Sequence, residues 1–215
     1  MSLGVALAGG GLKGIAHIGA LKALKDLGIK IDYLSGTSSG ALIGTIYALG
    51  YNTDEILERF LSYYKAMTKI PKKPLFKAGV TYLGSGVAKV EGLINGEDIG
   101  NIIKECAKEK NISNMNDLPI PYAVATVDTI STKECIFLSR HYNLKNDNID
   151  YLYDAPVDIA TRASIAFPAV FTPCNYKGYN FIDGGTKDNL PVHILKDMGA
   201  TKTLGLSFKI DEYKP

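Results

Sequence analysis

Ile31-Asp32-Tyr33-Leu34-Ser35-Gly36-Thr37-Ser38-Ser39-Gly40-Ala41-Leu42-Ile43-Gly44 passes from a strand pattern to a helical one through a run of small residues. The apolar residues at 31–34 predict a strand, 36–40 a tight turn, and 41–49 an apolar helix. A G-x-S-x-G between a strand and a helix forms a sharp turn that lifts the serine hydroxyl clear of the sheet. The residues two before and two after the serine crowd each other, so Gly36 and Gly40 must both be small. The helix start beneath Ser38 offers unpaired N–H groups and a partial positive charge, both favourable to negative charge at a reacting centre. Ser38 is therefore a candidate nucleophile. The motif alone leaves open a plainer reading, a small-residue turn needed only for close helix–strand packing.

The same alternation continues along the chain. A strand at 5–8 runs into Gly9-Gly10-Gly11, followed by a helix at 13–27 whose buried side is marked by Ile15, Ile18, Leu21 and Leu24. Gly28 stands where a C-terminal cap belongs. Thr53 reads as the N-cap of a helix at 54–67, and 97–110 reads as another. Strands at 122–129 and 134–139 suggest a hairpin, 157–166 a helix, and two short strands flank Gly178, the second at 179–182. Pro191 opens a helix closing near Gly199, and 203–208 is a last strand. Strands alternating with helices indicate an α/β sheet, and 215 residues suit one domain, 1–215. The exception is 68–95, with Pro71, Pro74 and four glycines, which reads as a long, partly ordered excursion.

Composition narrows the function classes. Hydrophobic residues are 46% and charged residues 21% of the chain, the balance of a globular protein. Net charge is +2, and the basic residues are nearly all Lys, with only Arg59, Arg140 and Arg162 as Arg. Lys without Arg is a poor kit for reading bases or gripping phosphates bidentately, so nucleic acid is not the expected partner. Cys106, Cys135 and Cys174 form no CxxC pair and read as buried thiols in a reducing compartment. The N-terminal apolar stretch lacks a basic flank and is cut at once by glycines, unlike a signal peptide. No run of eighteen apolar residues offers a membrane span. A cytoplasmic location is expected.

Two further motifs carry chemistry. Gly9-Gly10-Gly11-Leu12-Lys13-Gly14 joins a strand to a helix and can point successive N–H groups at one spot. Gly9, Gly11 and Gly14 fit a dinucleotide fingerprint, with Asp32 downstream as the ribose acid. That reading needs the acid at the end of the second strand, whereas Asp32 falls early in it. An oxyanion hole built on Gly10 and Gly11 N–H is therefore preferred. Asp183-Gly184-Gly185 follows a strand; it is either a common Asp-Gly turn or a carboxylate delivered beside the serine.

These features, with Arg162-Ala163-Ser164-Ile165-Ala166-Phe167-Pro168-Ala169-Val170-Phe171-Thr172-Pro173 between the serine and the aspartate, resemble the patatin-like phospholipase family over nearly the whole chain. The resemblance implies a three-layer α/β/α sheet related to, but distinct from, the α/β hydrolases. It implies a Ser38–Asp183 dyad without histidine, an oxyanion hole from the 9–14 loop with the Ser39 backbone as a further donor, and no metal or cofactor. The motif glycines are Gly36, Gly40, Gly184 and Gly185. The implied substrate is a fatty-acyl ester of a lipid or phospholipid. The other readings are a non-catalytic lipid-binding protein on the same fold and the dinucleotide-binding oxidoreductase. Ala8 stands where many members carry Asp, and Ser39 where many carry Thr. The chain also stops soon after its last strand, where members often continue, which points to a C-terminal truncation.

The histidines set the dyad against a triad. His17 reads as a packed or capping residue and His141 as solvated in a polar loop. His193 follows Asp183 in the chain order of α/β hydrolases, but Ser38 comes after only two strands, too early for that fold. An Asp base requires help, since a free carboxyl is a weak acceptor of a serine proton. Burial would raise its basicity. Finally, 60–90 holds Lys65, Lys69, Lys72, Lys73, Lys77 and Lys89, no acidic residue, and interleaved aromatic and aliphatic side chains. That segment is read either as a solvated loop whose apolar residues cover the core or as a mobile cover over the acyl pocket that also docks at the inner membrane surface.

Overall fold

A computed structural model describes residues 1–68, 96–168 and 170–208. Most of the 60–90 segment, and with it the cover and its lysines from Lys69 onward, lies outside the described residues.

The described strands are β1 (Leu3–Leu7), β2 (Tyr33–Thr37), β3 (Tyr122–Asp128), β4 (Glu134–Leu138), β5 (Ile149–Leu152), β6 (Cys174–Tyr176), β7 (Tyr179–Asp183) and β8 (Lys202–Leu206). The helices are α1 (Ile15–Asp26), α2 (Ser39–Ala48), α3 (Thr53–Thr68), α4 (Glu97–Glu109), α5 (Val157–Ser164) and α6 (Val192–Asp197). The main sheet runs β5-β4-β3-β2-β1-β8. β8, β1, β2 and β3 are mutually parallel, β4 reverses against β3, and β5 lies parallel to β4. All seven residues of β3 are buried, as a strand covered on both faces requires. On one face, Tyr122 and Val124 join the large core beneath α1 to α5; on the other, Ala123, Ile136 and Leu138 pack against Ile194 and Met198 around α6. The result is the expected three-layer α/β/α arrangement.

One detail of topology makes the site. β4 occupies one edge of β3 as far as Val127. β2 occupies the other edge and ends where Thr37 pairs with Ala125. β7 takes over there, running antiparallel, with Asp183 opposite Thr126. The end of β2 and the end of β7 thus meet on consecutive residues of one strand.

α2 is central and buried on almost every side. It lies so close to β3 that a Cβ on Gly44 would stand 2.8 Å from the Tyr122 hydroxyl. That hydroxyl donates to Ala41 O at 2.7 Å, tying the helix to the sheet.

Three expectations change. Ile15 is exposed, not core: the chain first makes a 3₁₀ turn at Gly11–Gly14, which rotates the helix start, and His17, Ile18 and Leu21 face inward instead. The cap of α3 is Asn52 rather than Thr53; its Oδ1 accepts from Asp54 and Glu55 N–H at 3.0 Å, and the Glu55 side chain returns to Asn52 N–H at 2.7 Å. β5 is an additional strand that the sequence does not announce, because its short Ile149-Asp150-Tyr151-Leu152 run follows a polar loop without a turn signature. The Gly28 cap is as read, in the left-handed region at φ +67°.

Candidate active site

Ser38 sits at the apex between β2 and α2 with φ +53° and ψ −123°. A non-glycine residue there is strained, and such strain persists only where its surroundings hold it. The holding groups are identifiable. Ser38 N–H donates to Ser164 Oγ at 2.9 Å, and Ser164 Oγ donates on to Ala125 O at 2.7 Å. Thr37 Oγ1 donates to Asp188 O at 3.0 Å, and Ser35 Oγ to Pro191 O at 2.7 Å. A Cβ on Gly36 would lie 2.7 Å from Gly40 O and 2.8 Å from Ala41 N, so the crowding inferred from sequence is real at that position. Gly40 is small for another reason: a Cβ there would run into the Leu7 carbonyl of β1.

Asp183 ends β7 and is 1% exposed. Its Oδ1 accepts the Gly185 N–H at 2.7 Å, and Thr186 Oγ1 donates to its backbone carbonyl at 2.9 Å. Burial raises its pKa to about 6, while the Ser38 hydroxyl and the Gly185 N–H, which both favour the charged form, pull against it. Oδ2 is buried and makes no hydrogen bond among the described residues. Gly184 has no room for a Cβ, because the Ala125 carbonyl occupies that space. The backbone of β3 therefore touches both halves of the pair: Ala125 O holds Ser164 behind Ser38, and the same carbonyl bounds Gly184 behind Asp183.

The glycine loop packs beside this pair. A Cβ on Gly9 would lie 3.0 Å from Ser38 Cβ. Gly9 is clamped by Asn189, whose backbone carbonyl accepts Gly9 N–H at 3.1 Å and whose side-chain amide donates to Gly9 O at 3.1 Å. Gly10 N–H donates to Ser39 Oγ at 3.0 Å. Gly11 adopts φ +56°, the left-handed region that favours glycine, and its N–H has no partner among the described residues. The two amides named from sequence thus differ: Gly10 is engaged and Gly11 is open.

The histidines fall elsewhere. His17 is buried; its Nε2–H donates to Ala8 O at 2.8 Å, its ring lies 4.6 Å from that of Phe208, and burial lowers its pKa. His141 is exposed and stacks on Tyr153. His193 is on α6, with Nδ1 3.1 Å from Asp188 Oδ2, so its carboxylate partner is Asp188 and not Asp183. Asp32 accepts Leu3 N–H at 2.9 Å and pairs with Lys30, at the opposite end of the parallel β1–β2 pair from the glycine loop. It cannot serve as the ribose acid of a dinucleotide site.

Sequence reasoning missed Ser164 and Asn189. Ser164 lay inside a quoted motif without a role, and Asn189 follows Asp183 too distantly for spacing to expose it. Among the described residues no helix is long and apolar enough to cross a membrane.

The family model described as "Patatin-like phospholipase" matches residues 5–196. An uncharacterized NTE family protein of Mycobacterium bovis is 29% identical over 211 residues, 98% of this chain and 50% of that protein. Neuropathy target esterase sws of Drosophila melanogaster is 29% identical, and patatin-like phospholipase domain-containing protein 6 of Homo sapiens 28% identical, each over 207 residues, 95% of this chain. The chain spans half the length of the mycobacterial relative and 13% of the two animal ones. Among solved structures, VipD from Legionella pneumophila aligns over 88% of this chain and 46% of its own, with 19% identity and a TM-score of 0.48. With the family model matching most of its length, the chain belongs to the patatin-like phospholipase family.

Proposed function

We propose that this chain is a serine acyl hydrolase that cleaves fatty-acyl esters of lipids with Ser38 as nucleophile and Asp183 as base. The observation that carries the reading is the pairing of a strained, half-buried serine with a buried carboxylate whose pKa stands at about 6. A carboxylate so raised accepts a proton more readily than a solvated one, yet is ionised at neutral pH.

In the proposed cycle Asp183 takes the Ser38 proton as Oγ bonds to the ester carbonyl carbon, and the carbonyl π electrons move to oxygen. The Gly11 N–H and the amides at the start of α2 supply positive charge to that oxyanion, joined by Gly10 N–H when it turns from Ser39 Oγ. Collapse expels the alcohol with the proton from Asp183 and leaves an acyl-Ser38. Water, deprotonated by Asp183, then releases the fatty acid and restores the serine. These steps call on no cofactor. The test is labelling with a fluorophosphonate probe and mapping of the modified peptide. Modification of Ser38, with labelling and ester hydrolysis both lost in Ser38→Ala, supports the proposal; labelling elsewhere or an active mutant overturns it.

A further inference from the structure

Behind the nucleophile turn, on the α6 side of the sheet, Glu134, Asp188 and His193 converge from the start of β4, the loop after β7 and the first turn of α6. One donor atom from each lies within 4.8 Å of the others. Asp188 is fixed first: Oδ1 accepts Leu190 N–H at 3.0 Å, and Oδ2 faces His193 Nδ1 at 3.1 Å. A carboxylate oxygen only accepts, so Nδ1 carries the hydrogen. In the neutral ring the Nε2 lone pair then faces Glu134 Oε1, 4.0 Å away. Both atoms are buried without a hydrogen-bond partner among the described residues, and the Glu134 side chain is only 9% exposed.

Two acceptors facing each other in a buried space call for a donor or a cation between them. The neighbouring Lys187 ammonium donates to Thr132 O at 3.1 Å and makes no hydrogen bond to Glu134 Oε1. A proton on Nε2 makes a poor bridge, because 4.0 Å is beyond hydrogen-bond length. A metal ion bonded at about 2.0–2.2 Å to each atom spans that gap after a slight closure. A carboxylate behind Nδ1–H is also the usual orienter of a metal-binding histidine. We propose that Glu134 and His193 bind a divalent cation, with Asp188 as third ligand or orienting partner. One imidazole with two carboxylates suits a borderline ion, and Zn²⁺ is the natural probe.

The site would be a brace rather than a participant in hydrolysis. Asp188 O is the acceptor of Thr37 Oγ1, one residue before the nucleophile, and Asn189 clamps Gly9. An ion here would tie β4 and α6 to the loop holding the turn and the glycine loop together. The inference does not rest on the hydrolytic reading, and its test reads metal binding directly. Chelator-treated protein is titrated with ZnCl2 by calorimetry and its Tm followed against Zn²⁺ concentration. The expected result is one equivalent bound per chain and a Tm that climbs with Zn²⁺. Glu134→Gln and His193→Gln should each weaken binding by more than about tenfold. Should a variant fail to fold, Co²⁺ loaded into the wild-type protein decides. Visible ligand-field bands without a thiolate charge-transfer band, displaced by Zn²⁺, support the site. No uptake, uptake unchanged in both folded variants, or a thiolate band assigning the ion to cysteines overturns it.

Discussion

Ser164 Oγ accepts the backbone N–H of Ser38 at 2.9 Å and passes its own hydrogen to Ala125 O. A fully buried hydroxyl at the end of α5 thereby links the strained Ser38 turn to the central strand. Ser164→Ala leaves the Ser38 N–H and the Ala125 carbonyl without that partner, at a cost of about 1–3 kcal/mol. The variant should fold with a lower Tm. Because the hydroxyl positions Ser38 rather than touching an ester, kcat for a small soluble ester should fall about tenfold with KM little changed. A variant whose kcat equals wild type would show that the turn holds its shape without this link.

Asp183→Asn should lose about 10²–10⁴-fold in activity, the usual contribution of a general base. His193→Ala, measured beside it, should keep most of its activity, since His193 is committed to Asp188. The two variants exchange outcomes if the protein uses a histidine triad.

The raised pKa of Asp183 has two opposite signs in pH. With Asp183 as the proposed base, kcat/KM should rise with pH through an acid limb at about 6. Stability runs the other way. Between about 4 and 6 the folded chain holds a proton that the unfolded chain has lost, so stability falls as pH rises through this window. By pH 7 the cost amounts to about 3 kcal/mol. Asp183→Asn should therefore melt higher than wild type at pH 7 and gain little at pH 4, by thermal unfolding at both values.

Gly36→Ala and Gly11→Ala make an informative pair. A methyl at Gly36 meets Gly40 O and Ala41 N of the turn, so the backbone carrying Ser38 must shift. A loss of about 1–3 kcal/mol and of most fluorophosphonate labelling should follow. At Gly11 nothing lies within 4 Å of the added Cβ, and only the left-handed φ is unfavourable, by about 1–2 kcal/mol. Labelling of Ser38 should survive there. Equal labelling in both would mean that the turn accommodates the methyl.

Much of the architecture was legible because hydrophobic runs and glycines mark it locally: Gly28 ends α1, Gly36 fits only beneath the turn, and β3 and β4 read as a hairpin. Ile15 misled because the 3₁₀ turn before it shifts the phase of the helix, which periodicity alone does not register. For the site, Ser38 and Asp183 announced themselves through their flanking glycines. Ser164, Asn189 and the Glu134–His193 approach did not. Each of these acts through a partner distant in the chain, and only the pairing of strands brings those partners into range. The different states of Gly10 and Gly11 N–H were equally hidden, since the Ser39 hydroxyl that separates them looks from sequence like a mere variant of the turn.

The takeover of one β3 edge by β7, after β2 has stopped, also governs when the chain becomes competent. Ser38 is made before Asp183. Before β7 docks, a growing chain holds Ser38 without the Asp183 carboxylate beside it. On the proposed chemistry, nascent or prematurely terminated products ending short of that strand would be silent toward ester bonds.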